Sequence, residues 1–498
     1  MNKKKGIIIS ALATVALTLP LAACGMAGGN GGAMRYPECD YIQPGALENY
    51  RYDDIIERDF TDASETPDSY FSLDRNTASY SLMRRTINEG RTVGKNSVRI
   101  EEYINYFDYD YARPQNGDAL AVNGSLFDCP WNDEHKLLTV EVAAETIDFD
   151  DRKNNIVFLI DTSGSMYGDD RLGLIQQSFT MLTECLDEHD TVSIVTYAGD
   201  SRIALDGESG ANKTKIANVL QDLEARGSTF GQGGIENAYK VAERHFTDGA
   251  NNRVILATDG DFNVGASSKR ALERLIRSKR ETGIYLSVLG VGMYNTNDTT
   301  MKTLAENGNG NYAYLDSVNE ARKVLVKELG GTFNVVAKDA KIGVTFDAEA
   351  VDKYRLIGYE SKMLTQEEFE DEKTDAGEIG SGHTVTALYE LALKPEAEGS
   401  VAAAEVRYKT PNTEVEKSVK FEIAVSDYTH SPDEDHMFIA CVAEYGLVLR
   451  ESKYAADASL LSVVNRLDAL DCTDASADPF KAEFLGLAKK ALRLYGLR

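Results

Sequence analysis

The chain has 498 residues, 43% of them hydrophobic and 27% charged, an ordinary globular composition that excludes a largely disordered or fibrous protein. Its length accommodates about two to four domains. With 80 acidic residues against 53 basic ones and a net charge of -27, there is no basic excess to neutralise phosphates, which argues against a nucleic-acid partner.

At the N-terminus, Lys3, Lys4 and Lys5 precede an apolar stretch from Ile7 to Leu19, and Leu21-Ala22-Ala23-Cys24 follows. This order of charged, apolar and small residues is that of a signal peptide. The cysteine after small residues fits the lipobox of bacterial lipoproteins, in which the Cys24 thiol carries the lipid as a thioether. An uncleaved anchor and a plain secretory signal are the alternatives; the stretch falls short of the roughly 20 residues that span a bilayer. Cleavage before Cys24 removes three lysines and takes the charge from -27 to -30. The expectation is an extracytoplasmic protein of the cell envelope, lipid-anchored at the outer membrane or at the outer face of the cytoplasmic membrane. Residues 25–49 then read as a flexible tether, glycine-rich from Gly25 to Ala33.

Residues 50–150 form an N-terminal region, rich in Tyr, Asp and Arg from about Tyr50 to Tyr111. Ser81–Asn88 and Val98–Phe107 have helical apolar spacing, and Leu137–Val142 alternates like a strand. The tyrosines of Tyr103–Tyr111 read as packing between domains in preference to a sugar- or protein-binding face. From 155 to 330 the rhythm changes. Ile156–Ile160 is a continuous apolar run, the mark of a strand buried on both faces. Helical patterns over Leu172–Leu186, Ile216–Leu223, Ile235–Phe246, Leu272–Lys279, Met301–Ala305 and Val318–Leu329 alternate with strand patterns over Val192–Tyr197, Val254–Ala257, Ile284–Val291 and Tyr312–Leu315. That alternation predicts an α/β fold with a doubly wound, mainly parallel sheet, whose ligands bind at the carboxyl ends of the strands.

Residues 335–428 turn to short alternating strands: Lys341–Phe346, Tyr354–Tyr359, Val385–Leu393, Val401–Tyr408 and Ser418–Ala424. These predict a β-sandwich. Pairing with Leu137–Val142 would make the α/β unit an insertion next to it. Gln366–Asp375 reads as a solvated acidic turn, and His430 and His436 as surface-turn residues. The C-terminal region, 430–498, reads as helical, with Phe438–Leu449 and Ala482–Leu494 amphipathic. Besides Cys24 there are five cysteines, an odd number that leaves no complete disulfide framework. Cys39–Cys129 and Cys441–Cys472 are open pairings; buried free thiols are the alternative.

Three segments carry chemistry. The first buried strand ends in Asp161-Thr162-Ser163-Gly164-Ser165, a D-x-S-x-S pattern. Gly227-Ser228-Thr229 stands just before a helix, and a later buried strand runs into Thr258-Asp259-Gly260. In a doubly wound sheet all three open at one edge. Oxygen-only donors of this kind suit a hard divalent cation, Mg²⁺, Mn²⁺ or Ca²⁺. The plainer reading is that the serines and aspartate cap the following helix. Ser163 stands where a haloacid-dehalogenase-type aspartyl nucleophile has its second Asp, and neither a P-loop nor a G-x-S-x-G elbow is present.

These residues resemble the metal-ion-dependent adhesion site of von Willebrand factor type A domains at all five positions. The resemblance implies that Ser163, Ser165 and Thr229 bind the metal directly, and that Asp161 and Asp259 do so directly or through water. Val98-Arg99-Ile100-Glu101-Glu102-Tyr103-Ile104-Asn105-Tyr106-Phe107, Tyr354-Arg355-Leu356-Ile357-Gly358-Tyr359 and Asp375-Ala376-Gly377-Glu378-Ile379-Gly380 are similar to the flanking regions of a family of bacterial lipoproteins with this domain. The implied function is non-enzymatic: a membrane-anchored binding protein whose divalent metal engages an Asp or Glu carboxylate of a partner protein, in adhesion, envelope assembly or scaffolding. The alternatives are a structural metal-holding module whose flanking domains make the contacts, and an envelope hydrolase that depends on Asp161.

Overall fold

A computed structural model describes residues 54–496 except 74, 116, 148–152, 228–230, 261–264, 293–297, 329–330, 332–333 and 412–414. Two short strands, β1 (Thr61–Asp62) and β2 (Asp68–Ser72), lead into helix α1 (Ala78–Asn88) and the five-residue α2 (Ile100–Ile104), followed by β3 (Leu120–Asp128) and β4 (Lys136–Ala144). The central segment comprises β5 (Asn154–Asp161), α3 (Leu172–Glu184), β6 (Thr191–Tyr197), β7 (Ser201–Ser209), α4 (Lys213–Gln221), α5 (Gly231–Arg244), β8 (Asn251–Thr258), α6 (Gly265–Arg280), β9 (Ile284–Gly290), α7 (Asp298–Asn307), β10 (Tyr312–Tyr314) and α8 (Val318–Arg322). Then come β11 (Val335–Phe346), β12 (Val351–Ile357), α9 (Gln366–Glu370), β13 (Gly377–Gly380), β14 (Thr384–Leu393), β15 (Ser400–Lys409), β16 (Glu416–Ala424) and β17 (Tyr428–Thr429). Three helices close the chain: α10 (Glu434–Arg450), α11 (Leu460–Leu467) and α12 (Pro479–Tyr495).

The central sheet has the order β10-β9-β8-β5-β6-β7 and is parallel except at the β6–β7 edge. It is the doubly wound α/β fold expected from the alternation. β5 is apolar from Ile156 to Ile160 because helices cover both of its faces: Ile156, Phe158 and Ile160 enter one core, Val157 and Leu159 the other. A sheet of order β1-β12-β14-β4-β3-β17 packs against a second built from β13-β11-β15-β16, with β2 added on β11. Val140 and Val142 of β4 meet Ile342 and Val344 of β11 in their shared core. β4 pairs with β14 across the whole intervening segment, Val140 opposite Ala387, so the α/β unit is inserted beside the sandwich. A fourth core belongs to the terminal helices and gathers Tyr80, Tyr103, Tyr106, Phe107, Phe438 and Phe484. Tyr106 stacks on Tyr80 with centroids 3.9 Å apart, and Tyr109 and Tyr111 are buried too, in keeping with a packing role.

Several local expectations are corrected by tertiary contacts. The helix read over Val98–Phe107 is confined to α2. It stops because Asn105 turns its amide to the sandwich, donating to the Tyr359 hydroxyl at 3.0 Å and accepting from Thr386 N at 2.7 Å. The acidic run begins as a capped helix, α9, whose Phe369 is buried and stacks on Tyr70. The helix expected from Val318 shortens to α8 and continues as a π-helical segment, Lys323–Lys327. His436 is buried in the first turn of α10, where its Nδ1 lies 2.6 Å from Asp433 Oδ1 and its Nε2 2.7 Å from Glu141 Oε1. Cys441 and Cys472 are separate free thiols, as is Cys129. Cys39, Cys24 and the segments read as signal peptide and tether lie outside the described residues. Among those described, no helix is long and apolar enough to cross a membrane.

Candidate metal site

The chain leaves β5 to one side for β6 and β7, then crosses to the other side for β8 and β9. The carboxyl end of β5 is therefore the topological switch point, where flanking connections diverge and open a crevice. Asp161 is the last residue of β5, and Thr258 the last of β8, with Asp259 following.

Local hydrogen bonding explains the loop shape. Ser163 N donates to Asp161 Oδ1 at 2.9 Å, closing an Asx-type turn. Thr162 N continues the ladder to Tyr197 O at 2.9 Å. The turn sets the Ser163 and Ser165 hydroxyl oxygens 3.0 Å apart. Asp161 and Ser163 are buried and Asp259 is 4% exposed. The structure thus brings four of the five expected residues, Asp161, Ser163, Ser165 and Asp259, to one strand edge. Thr229 lies outside the described residues. Its approach is visible: Arg226 N donates to Thr162 O at 2.7 Å, and Gly164 N to Gly227 O at 3.0 Å. The chain therefore enters the 228–230 segment tied to the D-x-S-x-S loop, and α5 begins at Gly231. Gly227 has φ +80, and at Gly234 a Cβ would come 2.8 Å from the Tyr197 side chain, so close approach requires glycine there.

Tyr197 is a site residue that the sequence reading missed, and Thr258, named there only as the start of the Thr258-Asp259-Gly260 segment, was given no role of its own. The Tyr197 hydroxyl donates to Asp161 Oδ2 at 3.2 Å and the Thr258 hydroxyl to the same oxygen at 3.1 Å. Their one signal in the sequence is position, at the carboxyl ends of the strands flanking β5. Despite these donors, burial pushes the Asp161 carboxyl up to about 6; the Ser163 and Thr258 hydrogen bonds oppose the rise and the Asp259 carboxylate adds to it. A cation between the two carboxylates would relieve that repulsion.

The residues present fit a hard divalent ion. Two cis oxygens of an octahedron with metal–oxygen bonds of 2.0–2.1 Å stand about 3.0 Å apart, which is the Ser163–Ser165 spacing. The donors are hydroxyls and carboxylates. Among the described residues no group of three or more His, Cys, Asp and Glu is arranged to hold a metal.

Residues 155–327 match the von Willebrand factor type A domain family, and 46–139 a family described as von Willebrand factor. Residues 331–402 and 392–494 match the C-terminal region of the uncharacterized protein YfbK. YfbK of Escherichia coli K12 is 38% identical over 473 residues, covering 89% of this chain and 81% of YfbK. Inter-alpha-trypsin inhibitor heavy chain H4 of Homo sapiens is 25% identical over 287 residues, 52% of this chain but only 28% of that protein. Among solved structures, a von Willebrand factor type A protein from Catenulispora acidiphila aligns with a TM-score of 0.42 at 14% identity, over 74% of this chain and 89% of that one.

Proposed function

The chain belongs to the family of bacterial proteins, exemplified by YfbK, that carry a von Willebrand factor type A domain, and from that premise we propose that a divalent cation at the β5–β8 edge engages an Asp or Glu carboxylate of a partner protein. The domain type points to protein–protein interaction or adhesion. The observation that carries the finer reading is the meeting of Asp161, Ser163, Ser165 and Asp259 at one strand edge, with the two hydroxyl oxygens 3.0 Å apart.

When bound, Mg²⁺ (or Mn²⁺ or Ca²⁺) supplies a local +2 charge that a partner's carboxylate can complete as a ligand, which lets an acidic protein hold an acidic group. Ser163 and Ser165 would hold it through neutral oxygens, Asp161 and Asp259 would balance part of its charge, and Thr229, outside the described residues, is the fifth expected ligand. Tyr197 and Thr258 orient Asp161. The reading is non-catalytic. In it Cys24 carries the lipid that anchors the chain on the extracytoplasmic side of a membrane, where adhesion, envelope assembly or scaffolding is the task.

The test is a Mg²⁺ titration by calorimetry. Asp161→Ala, and Ser163→Ala combined with Ser165→Ala, abolish the binding heat while circular dichroism stays unchanged. Heat that persists in both variants overturns the assignment. A second reading, a metal-holding scaffold whose other surfaces make the contacts, is favoured by the buried ion network around Arg84 that ties the α/β unit to the helical layer. Chelator-sensitive capture of a partner from envelope extracts supports the first reading; chelator-insensitive capture supports the second.

A further inference from the structure

Away from the metal edge, where α7 faces the turn after β12 and the residues ahead of β1, lies a cavity of about 320 Å³, at the small end of ligand sites. Its ionisable lining is four carboxylates, Asp54, Glu101, Glu306 and Glu360, against two cations, Arg99 and Lys302. Both cations face Glu102: Arg99 Nε bonds its Oε1 at 2.5 Å, and Lys302 Nζ lies 3.6 Å from the same oxygen. Glu360 is paired with Arg450, and Glu306 with Lys362 at 2.6 Å.

Glu101 is different. It is 5% exposed, and its Oε2 has no hydrogen-bond partner. Burial pushes its carboxyl up to about 7, with Glu360 and Glu102 adding to the rise and Lys302 and Arg450 opposing it. Room for the carboxylate is made by Gly358, where a Cβ would stand 2.6 Å from Oε2. A buried acceptor without a donor is costly, and the residue that carries this one lines a cavity. Ile55 and Ile56 line the same cavity, and Ile56 is 81% exposed, so apolar surface is open beside the carboxyls. A net-negative wall, an unsatisfied acceptor and an apolar patch together suit a cation on an alkyl stem.

We propose that this cavity binds an aliphatic ammonium group, carried by a free amine or by a lysine side chain, whose N–H donors pair with the Glu101 carboxyl while its stem packs on Ile55 and Ile56. The site is separate from the metal edge and stands independently of the metal reading.

The experiment is calorimetry on the full chain with cadaverine, with Nα-acetyl-lysine methylamide, and with pentanediol as the uncharged control. The ammonium probes bind and the diol does not. Glu101→Gln loses about tenfold or more in affinity, Ile56→Ser weakens binding, and Asp161→Ala retains it. Tighter binding of cadaverine assigns a free amine; tighter binding of the lysine derivative assigns a protein lysine. Glu101→Gln also keeps or raises the thermal midpoint, because it removes a buried charge, whereas a structural role would lower it. No binding by either ammonium probe, equal binding of the diol, unchanged affinity in Glu101→Gln, or loss of binding in Asp161→Ala overturns the proposal.

Discussion

Asp161 is the hinge of the metal edge. It ends a strand buried on both faces, its Oδ1 shapes the serine loop, and its Oδ2 receives two hydroxyls from neighbouring strands. Partners that hold a ligand without touching the metal commonly tune affinity as strongly as a weak ligand does. Tyr197→Phe removes one such donor and leaves the buried ring in place. Mg²⁺ affinity then falls about tenfold with the fold intact, as read by calorimetry. An unchanged affinity would leave the Tyr197 hydroxyl with a packing role only.

Helix α1 works as a strut between layers. Ala78 and Leu82 enter the core of the α/β unit, while Tyr80, Met83 and Ile87 enter that of the terminal helices. Arg84 stands between them. It holds Asp316 with two bonds at 2.6 and 2.7 Å, Glu320 at 2.7 Å and the Tyr106 hydroxyl at 2.7 Å. It also reaches Glu483 of α12 at 3.1 Å. The ion pair itself need not stabilise, since desolvation offsets much of its attraction, but removing one partner strands buried charge. Arg84→Met is expected to cost about 3–5 kcal/mol in urea unfolding, partly recovered when Glu320→Gln is added. A loss near zero would mean that Asp316 and Glu320 find water or other donors.

On the scale of the molecule, stability should depend on pH through the contact between helical layer and sandwich. His436 in α10 lies between Asp433 and Glu141 of β4. Burial opposes its protonation, but the two carboxylates outweigh burial and raise it from 6.5 to about 9. The folded state therefore binds the proton more tightly than the unfolded chain. Its contribution is fully present below pH 6.5 and is lost as pH rises to about 9, on the order of 3 kcal/mol. Unfolding free energy should decline over that window, and His436→Gln should flatten the decline. A decline of equal size in His436→Gln would assign it to other groups.

The local pattern carried much of this architecture. A strand covered on both faces must be apolar at every position, so Ile156–Ile160 declared itself, and the D-x-S-x-S, threonine and aspartate segments could be assigned to one edge once the sheet was known to be parallel. Strand alternation did the same for the sandwich and for the insertion of the α/β unit beside it. What stayed hidden depends on partners far along the chain. Asn105 ends α2 for the sake of Thr386, 281 residues on, and β7, polar and lying at the sheet edge, has little apolar periodicity to reveal it. Arg84 finds Asp316 232 residues away, and no spacing rule announces that Tyr197 will bond Asp161 or that Glu101 will be buried beside a cavity. Periodicity reports which face of an element meets a core, because burial acts on each residue alone. Hydrogen bonds and ion pairs need two residues at one point, and only the folded chain decides which two meet.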